Sequence, residues 1–376
     1  GPTMYRYHTP SGDKSCDGMA MALRAGLPLR DMEMVQFHPT GLLAGAETRM
    51  TGTVLEEGLR GAGGYLLNGS KERFMDRYDP RGERATRDIV SRSIYLEMRA
   101  GRISPHGGVY IQMHHLGPDV VRRQFKGMVK RCADCGFDLA GGLVEVVPTA
   151  HYMMGGVIFA TDCTTPLAGL FAAGEDTGGV HGANRLGGNG VANSTVFGGI
   201  AGDSMPDWVR AQTGRIAPDE TAIERSISAH ELPLQLPPGS TRAIREGLYQ
   251  CMWDDVGILR SAEGLARGAA RLEELDAELS RIGVADGDRR FNLTWHEWLN
   301  LKNLIEVSRV IAAAAISRED SRGAHYREDH PDIGDLEQST YTVAREDSSG
   351  IKVTRERVSF TRVRPGQTLI PDEVAH

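Results

Sequence analysis

Residues 169–194 read GLFAAGEDTGGVHGANRLGGNGVANS, which joins a short apolar run, a glycine-rich loop and the beginning of a helical pattern. The apolar run Gly169–Gly174 has the length of a buried strand, and the helical pattern begins at about Val191. Glycines in the loop let backbone approach a flat ligand closely, and a helix N-terminus places partial positive charge beside it. The stretch therefore predicts a strand, loop and helix of an α/β domain with a ligand at the loop.

The sequence before this unit mixes strand and helix signals. Residues 34–150 contain short strand patterns and two amphipathic helical patterns, at 86–100 and 117–135. Near the beginning, residues 17–26 are typical of a short helix with Asp17 as its N-cap. This part of the chain is therefore expected to be of the α+β type.

The sequence after the unit is mainly helical. A proline-rich linker lies near 232–238. The helical patterns that follow it run at about 239–256, 260–284 and 295–317. They predict an antiparallel helical bundle. Alternation of Ile351 with Val353, and then of Val358 with Phe360, predicts short C-terminal strands.

Composition limits the classes of function. The chain has 376 residues with a net charge of -7, which does not favour binding to nucleic acid or to an anionic membrane. No apolar run approaches the ~20 residues of a membrane span, and no signal-peptide pattern is present, so a cytoplasmic location is expected. The odd number of cysteines argues against a disulfide framework. The lone pair Cys132 and Cys135 is interpreted as two ordinary thiols, and no metal site is predicted.

Candidate ligand-binding residues occur in three clusters beside glycine or proline turns. The clusters are Gln36-Phe-His-Pro-Thr-Gly41, Pro148-Thr-Ala-His-Tyr-Met-Met-Gly-Gly156 and His181-Gly-Ala-Asn-Arg-Leu-Gly-Gly188. Each alone is weak evidence, because a loop histidine is more often a hydrogen-bonded structural residue. Together the clusters contain His38, His151 and Arg185. The planar guanidinium of an arginine suits one carboxylate, and two imidazole rings suit another. This combination indicates a dicarboxylate site.

At these motifs the sequence resembles the flavoprotein subunits of succinate dehydrogenase and fumarate reductase, a family that is also related to L-aspartate oxidase. The resemblance runs from about residue 5 to at least residue 335. Further matching motifs, in order, are Glu57-Gly-Leu-Arg-Gly61, Gly63-Gly-Tyr-Leu-Leu-Asn68, Arg87-Asp-Ile-Val-Ser-Arg92, Gly169 to Glu175 and Ser321-Arg-Gly-Ala-His-Tyr-Arg327. The resemblance implies FAD as cofactor.

The resemblance also implies the domain organisation. The fold class is α/β plus α+β, in which a partial FAD-binding domain is interrupted by a capping domain and followed by a helical bundle with a short β tail. The predicted boundaries are 1–33 for the remnant of the FAD-binding domain, 34–150 for the capping domain, 151–212 for the continued FAD-binding domain, 213–330 for the helical domain and 331–376 for a C-terminal extension. The family's N-terminal GxGxxG unit, which holds the FAD pyrophosphate, is absent from these residues, so this chain alone is expected to bind FAD poorly.

Catalytic roles are likewise implied by the resemblance. His38, His151 and Arg185 would bind the substrate carboxylates, and Arg92 would transfer the proton. Glu57 and Arg60 match the family's proton relay, and their spacing of three residues is that of neighbours on a helical face. Without its motif, Arg92 would be interpreted as a surface ion pair, because a guanidinium with a pKa above ~12 is normally never deprotonated.

The resemblance implies cofactor contacts at Glu175, Gly190 and Val191. It also implies a contact at Asp13, in a turn whose residue spacing differs from the family's, so that Asp17 is a second candidate. The sequence departs from the family at Glu56, where a carboxylate replaces a hydroxyl and is expected to repel an anionic substrate.

The predicted activity is FAD-dependent interconversion of succinate and fumarate, or of a similar dicarboxylate. Two alternatives stay open: an L-aspartate oxidase type of enzyme, and a non-catalytic truncated flavoprotein. The resemblance also implies that the chain has an iron–sulfur protein as its partner. Such a partner would hold the cytoplasmic chain at the inner face of the cell membrane.

Overall fold

The computed structural model describes residues 1–45, 48–214 and 217–367. The α-helices are α1 Asp17–Arg24, α2 Gly58–Gly61, α3 Arg87–Arg99, α4 Pro118–Gln124, α5 Lys126–Ala133, α6 Asn189–Ala211, α7 Glu220–Glu231, α8 Thr241–Asp254, α9 Ala262–Leu279 and α10 Leu293–Ser317. The strands are β1 Leu29–Arg30, β2 Val35–Leu42, β3 Tyr65–Leu67, β4 Val109–Gln112, β5 Leu143–Met153, β6 Gly156–Val157, β7 Thr340–Asp347 and β8 Gly350–Arg357. The fold is mixed α/β with a helical C-terminal domain, as predicted.

One sheet brings two of the predicted histidine motifs together. Its antiparallel order is β2-β5-β4-β3, and the β2–β5 register places His38 opposite Thr149 and Val35 opposite Met153. Every residue of β2 is buried. Proline is tolerated in such a strand only at an edge or a bulge, and Pro39 satisfies both conditions because the register shifts between His38 and Gly41.

A second sheet joins the beginning of the chain to its C-terminal hairpin. Its order is β6-β1-β7-β8, and Leu29 of β1 pairs with both Val157 and Ala344. The hairpin β7–β8 therefore completes a sheet that the N-terminal segment begins. The predicted alternation of Ile351 and Val353 lies in β8, but that of Val358 and Phe360 falls beyond the end of β8, and the partner strand β7 precedes it.

The three predicted helices of the bundle are present as α8, α9 and α10. Their apolar faces meet in one core that includes Leu248, Leu272 and Leu304, each fully buried. The helix α7 was not predicted from the sequence. Its apolar residues give no buried face, since none of its side chains is buried, and its start is fixed by Asp219, which accepts a hydrogen bond from the backbone of Ala222.

Three local predictions were wrong. The run Gly169–Gly174 forms no strand, because positive φ angles at both glycines turn the chain and only a single bridge, Thr164 to Phe171, pairs nearby. The predicted helix over 117–135 is broken into α4 and α5 at Phe125. The N-cap of α1 is Cys16 rather than Asp17.

In the part of the chain that the structure describes, none of the helices has both the length and the apolar character needed to cross a membrane.

Candidate functional site

A cleft of about 590 Å³ lies between the end of β5 and the beginning of α6. Its lining includes Arg87, His151, Glu175, Arg185, Gly190 and Val191. Five of these six were predicted from the sequence to bind substrate or cofactor, and residues far apart in the chain meet here. The cleft is therefore the candidate site.

The two predicted histidines lie side by side on neighbouring strands. The ring centroids of His38 and His151 are 5.4 Å apart, with His38 almost fully buried and His151 at the cleft. Burial and then the charge of Arg87 hold the pKa of His38 well below its ordinary value. Burial and then the charge of Arg185 lower the pKa of His151 from 6.5 to about 3. Both rings are therefore neutral near pH 7 and can donate one hydrogen bond without carrying charge.

Arg185 is held by its surroundings at the wall of the cleft. Its guanidinium carbon lies 4.4 Å from the centre of the Tyr152 ring, a cation–π contact. Its backbone carbonyl accepts a 2.7 Å hydrogen bond from Nε2 of Gln36. Burial and then the nearby charge of Arg87 lower the pKa of Arg185. Its buried Nε has no hydrogen-bond partner among the described residues, which leaves donor capacity for an anion.

Arg87 is the residue that the sequence interpretation missed. It begins α3, and its Nη2 donates to Oε2 of Glu57 at 2.8 Å while its Nη1 donates to Oε1 of Gln36 at 3.1 Å. Gln36 thus bonds both to Arg87 and to the backbone of Arg185. Arg87 belongs to the motif Arg87-Asp-Ile-Val-Ser-Arg92, from which the sequence interpretation chose Arg92 instead.

Arg92, the predicted proton-transfer residue, does not line the cleft. Five residues correspond to about 140° around a helix with 3.6 residues per turn, so Arg87 and Arg92 project from different faces of α3. The Arg92 guanidinium instead lies 4.2 Å from the ring centre of Tyr326. The geometry favours Arg87 for any role at the cleft.

Glu57 and Arg60 lie behind Arg87, as a relay would require. Nη2 of Arg60 is 3.1 Å from Oε1 of Glu57, and Arg60 is almost completely buried. Burial opposes ionisation of Glu57, but hydrogen bonds and charge from Arg87 and Arg60 outweigh it and lower the pKa of this carboxyl. Burial lowers the pKa of Arg60. The order Arg87, Glu57, Arg60 is a continuous chain of charge-assisted hydrogen bonds.

The predicted cofactor contacts divide into two groups. Glu175 accepts a 3.1 Å hydrogen bond from the backbone of Met153, and Gly190 and Val191 form the first turn of α6 at the cleft. Asp13 is fully exposed and lines a separate cavity of about 1230 Å³ instead. Asp17, the alternative candidate, lines the same separate cavity.

The residues at the α6 end of the cleft fit a flat, partly anionic ring. A Cβ at Gly190 would lie 2.9 Å from the Tyr152 ring, so only glycine lets the first turn of α6 come this close. Val191 beside it is 76% exposed, and Oδ1 of Asn193 is buried without a hydrogen-bond partner among the described residues. The N-terminus of this long helix supplies partial positive charge. These features suit the pyrimidine end of a flavin.

Glu56 does not have the effect that the sequence predicted. It is exposed, does not line the cleft, and its backbone N–H lies against the sulfur of Met128. An exposed carboxylate outside the cleft is screened by solvent, so it does not exclude an anionic substrate. Among residues 1–45, 48–214 and 217–367, no cluster of potential ligands could hold a metal ion.

Comparison with known families assigns both parts of the chain. A family model described as FAD binding domain matches residues 3–191, and a model described as fumarate reductase flavoprotein C-term matches residues 245–370. The fold and the family models thus define an FAD-binding flavoprotein. The chain belongs to the family of fumarate reductase and succinate dehydrogenase flavoprotein subunits.

Two curated relatives illustrate the relationship. The chain is 42% identical over 323 residues to a component of the fumarate reductase (CoM/CoB) of Methanothermobacter marburgensis, covering 85% of this chain and 57% of the relative. It is 35% identical over 360 residues to the succinate dehydrogenase flavoprotein subunit of Rickettsia bellii, covering 91% of this chain and 59% of the relative. The chain therefore spans somewhat more than half the length of these relatives.

Solved structures give the same result. An E. coli quinol fumarate reductase FrdA structure superimposes with a TM-score of 0.87 at 32% identity, covering 97% of this chain and 65% of that chain. Mycobacterium smegmatis Sdh1 in complex with UQ1 superimposes with a TM-score of 0.84 at 35% identity, covering 96% and 61%.

Proposed function

We propose that this protein interconverts succinate and fumarate with FAD. The observation that carries the proposal is the meeting of Arg87 and Arg185 with the neutral ring of His151 in one cleft, beside residues that fit a flavin. The names of the relatives, fumarate reductase and succinate dehydrogenase, support this choice of substrate pair.

The charges of the cleft suit a small dianion. Two arginines line it against a single acid, Glu175, and Glu57 behind Arg87 is already engaged by two arginines. The planar fork of Arg185 suits bidentate binding of one carboxylate, while the neutral ring of His151 donates to the other. His38 does not line the cleft and supports the ring of His151 from the neighbouring strand. A site that is partly shielded from water strengthens each of these contacts.

Proton delivery is assigned to Arg87 in place of Arg92. Reduction of fumarate to succinate consumes two electrons and two protons, and when FAD is bound it supplies hydride chemistry at N5. Arg87 lies in the cleft and can donate the remaining proton to a substrate carbon, with Glu57 and Arg60 restoring it. The ion pair of Arg87 with Glu57 holds its guanidinium at the wall of the cleft.

The remaining assignments are part of the same proposal. Glu175, Gly190 and Val191 are taken as flavin contacts, and Asp13 is not, because it lies outside the cleft. The domain boundaries at 33, 150, 212 and 330 are retained. An iron–sulfur partner at the inner face of the cell membrane would exchange electrons with the flavin.

Turnover assays test the proposed function. We expect the flavin-loaded protein to reduce fumarate with a reduced dye and to oxidise succinate with an oxidised one, and to leave L-aspartate unchanged. Oxidation of aspartate without fumarate reduction would identify the related oxidase instead. Stoichiometric flavin without turnover of any of the three compounds would favour the non-catalytic alternative.

A further inference from the structure

A threonine outside the cleft contacts the ring of His151. Oγ1 of Thr9 lies 2.9 Å from Nδ1 of His151, on the side of the ring opposite to Nε2. Thr9 lines the larger neighbouring cavity rather than the cleft, so it does not reach the substrate. Any effect of Thr9 on binding must therefore act through the histidine.

The backbone fixes the position of this threonine. The N–H of Thr9 donates to the carbonyl of Ala150 at 2.9 Å, and the N–H of Ala150 donates to the carbonyl of Tyr7 at 2.8 Å. These bonds attach the segment to β5 one residue before His151. The hydroxyl is thus held in place, although it can rotate to donate or to accept.

The other histidine shows which tautomer the site uses. The backbone N–H of Thr40 donates to Nδ1 of His38 at 3.3 Å. A backbone N–H can only donate, so Nδ1 of His38 accepts and its single ring proton resides on Nε2. This tautomer is set by the strand β2 itself, independently of any ligand.

The same requirement applies to His151. A carboxylate only accepts hydrogen bonds, so a neutral imidazole can bind it only through a protonated ring nitrogen. Nδ1 is engaged by Thr9, which leaves Nε2 for the cleft. A proton on Nε2 requires Nδ1 to accept, and the Thr9 hydroxyl must then donate.

We propose that Thr9 is a positioning residue that fixes His151 in its Nε2–H tautomer, so that the ring presents a donor to a substrate carboxylate. Within the described residues the Thr9 hydroxyl makes no other hydrogen bond, so no second acceptor competes for its proton. The proposal rests on the proposed function in one respect, namely that the ligand in the cleft is a carboxylate. The tautomer itself can be measured without any ligand.

Nitrogen-15 NMR of histidine-labelled protein measures the tautomer directly. We expect Nδ1 of His151 to have the chemical shift of an unprotonated nitrogen and Nε2 that of a protonated one, with the resonances assigned by their loss in His151→Gln. In Thr9→Val the two nitrogens should move toward the average of the two tautomers. A protonated Nδ1 in the wild type, or an unchanged spectrum in Thr9→Val, would overturn the proposal.

Steady-state kinetics of the flavin-loaded protein provide the second test. Loss of one hydrogen bond corresponds to about a 2- to 10-fold rise in KM for fumarate, with kcat little changed. Thr9→Ser retains the hydroxyl and should restore KM, while Thr221→Val makes the same substitution at an exposed site on α7 and should have no effect. Equal KM in Thr9→Val and Thr9→Ser would contradict the role of the hydroxyl. If the wild type turns over no dicarboxylate, the proposed function fails, whereas the NMR result still decides the tautomer.

Discussion

At the scale of single residues, the most consequential proposal is that Arg87, rather than Arg92, transfers the proton. Both arginines belong to one six-residue motif, and a motif alone does not say which of its members faces the cleft. Helical geometry separates them, because Arg87 reaches Glu57 and Gln36 while Arg92 packs on Tyr326. The two assignments of the proton role therefore predict opposite effects of substituting Arg87 and Arg92.

Substitution of each arginine separates the two assignments. We expect Arg87→Gln to lower kcat for fumarate reduction by about 10²- to 10⁴-fold, the usual contribution of general acid catalysis. Arg92→Gln is the matched control, because it makes the same change five residues away on the same helix. Activity that survives in Arg87→Gln but is lost in Arg92→Gln would return the proton role to Arg92.

Acid sensitivity follows from the lowered pKa of His151. Between pH 6.5 and about 3 the unfolded chain carries a proton on this ring that the folded chain does not, so the stabilisation present above pH 6.5 is lost as the pH falls. Denaturant titrations at pH 7.5 and pH 5.5 measure how much unfolding free energy is lost between the two pH values. We expect this loss to be about 1 kcal/mol smaller in His151→Gln than in the wild type. The control His114→Gln, at an exposed histidine, should decline as the wild type does. Equal declines in all three proteins would contradict the neutral, buried ring.

At the scale of elements, the loop that carries Arg185 is supported by a second loop from the C-terminal part of the chain. The N–H of Ala324 donates to the carbonyl of Ala183 at 2.9 Å, and Gly323 has a φ of +53°. A Cβ at Gly323 would lie 2.2 Å from that carbonyl oxygen, which is far inside van der Waals contact. The position of Arg185 thus depends on a glycine about 140 residues later in the chain.

Replacement of this glycine should displace the arginine loop. We expect Gly323→Ala to raise KM for fumarate by roughly 10-fold or more, since misplacement by about 1 Å is costly at a binding site. Gly334→Ala is the control, because Gly334 also has a positive φ of 74° but its Cβ would meet nothing closer than 4.0 Å. Both variants carry the backbone strain of about 1 kcal/mol, so a KM change shared by both would show that strain alone is responsible.

Sequence patterns predicted the long helices better than the short elements. The helices α3, α8 and α9 follow apolar periodicity, because each buries one face in a core. The second half of α10 is instead apolar and buried on nearly all sides. The run Gly169–Gly174 was wrongly predicted as a strand because local apolarity cannot show whether a neighbouring strand exists. His151, Arg185 and Glu57 were predicted through motifs. The hydrogen bonds of Thr9 and Gln36 join residues more than 100 positions apart, which no local pattern reveals.

At the scale of the whole molecule, a buried ion network connects the two ends of the chain. Nε of Arg318 bonds to Oε1 of Glu33 at 2.5 Å, and its Nη2 donates to the carbonyl of Thr340 at 2.9 Å. The hydroxyl of Thr342 donates to Oε2 of the same glutamate at 2.6 Å. Burial and then the charge of Glu33 raise the pKa of Asp31 beside it to about 7. The network ties β7 to the segment that leads into β2, and so supports the strand that carries His38.

Removal of the central arginine should destabilise the fold strongly. Arg318→Met leaves Glu33 buried without its cationic partner, which costs about 3–5 kcal/mol in comparable cases. The control Arg210→Met breaks an exposed pair with Asp207, for which about 0–1 kcal/mol is expected. Chemical denaturation measures both, and similar losses in the two variants would contradict the structural role of the network.

The central claim is that Arg185 and His151, with His38 packed beside the His151 ring, form a dicarboxylate site next to the flavin. Anaerobic reoxidation of the reduced flavin by fumarate tests this claim most directly. In the wild type, fumarate should restore the absorbance of oxidised flavin with a rate that saturates with fumarate concentration. Arg185→Ala should bind the same amount of flavin but fail to be reoxidised at any fumarate concentration used. Reoxidation of Arg185→Ala at the wild-type rate and the wild-type half-saturating concentration would contradict the claim.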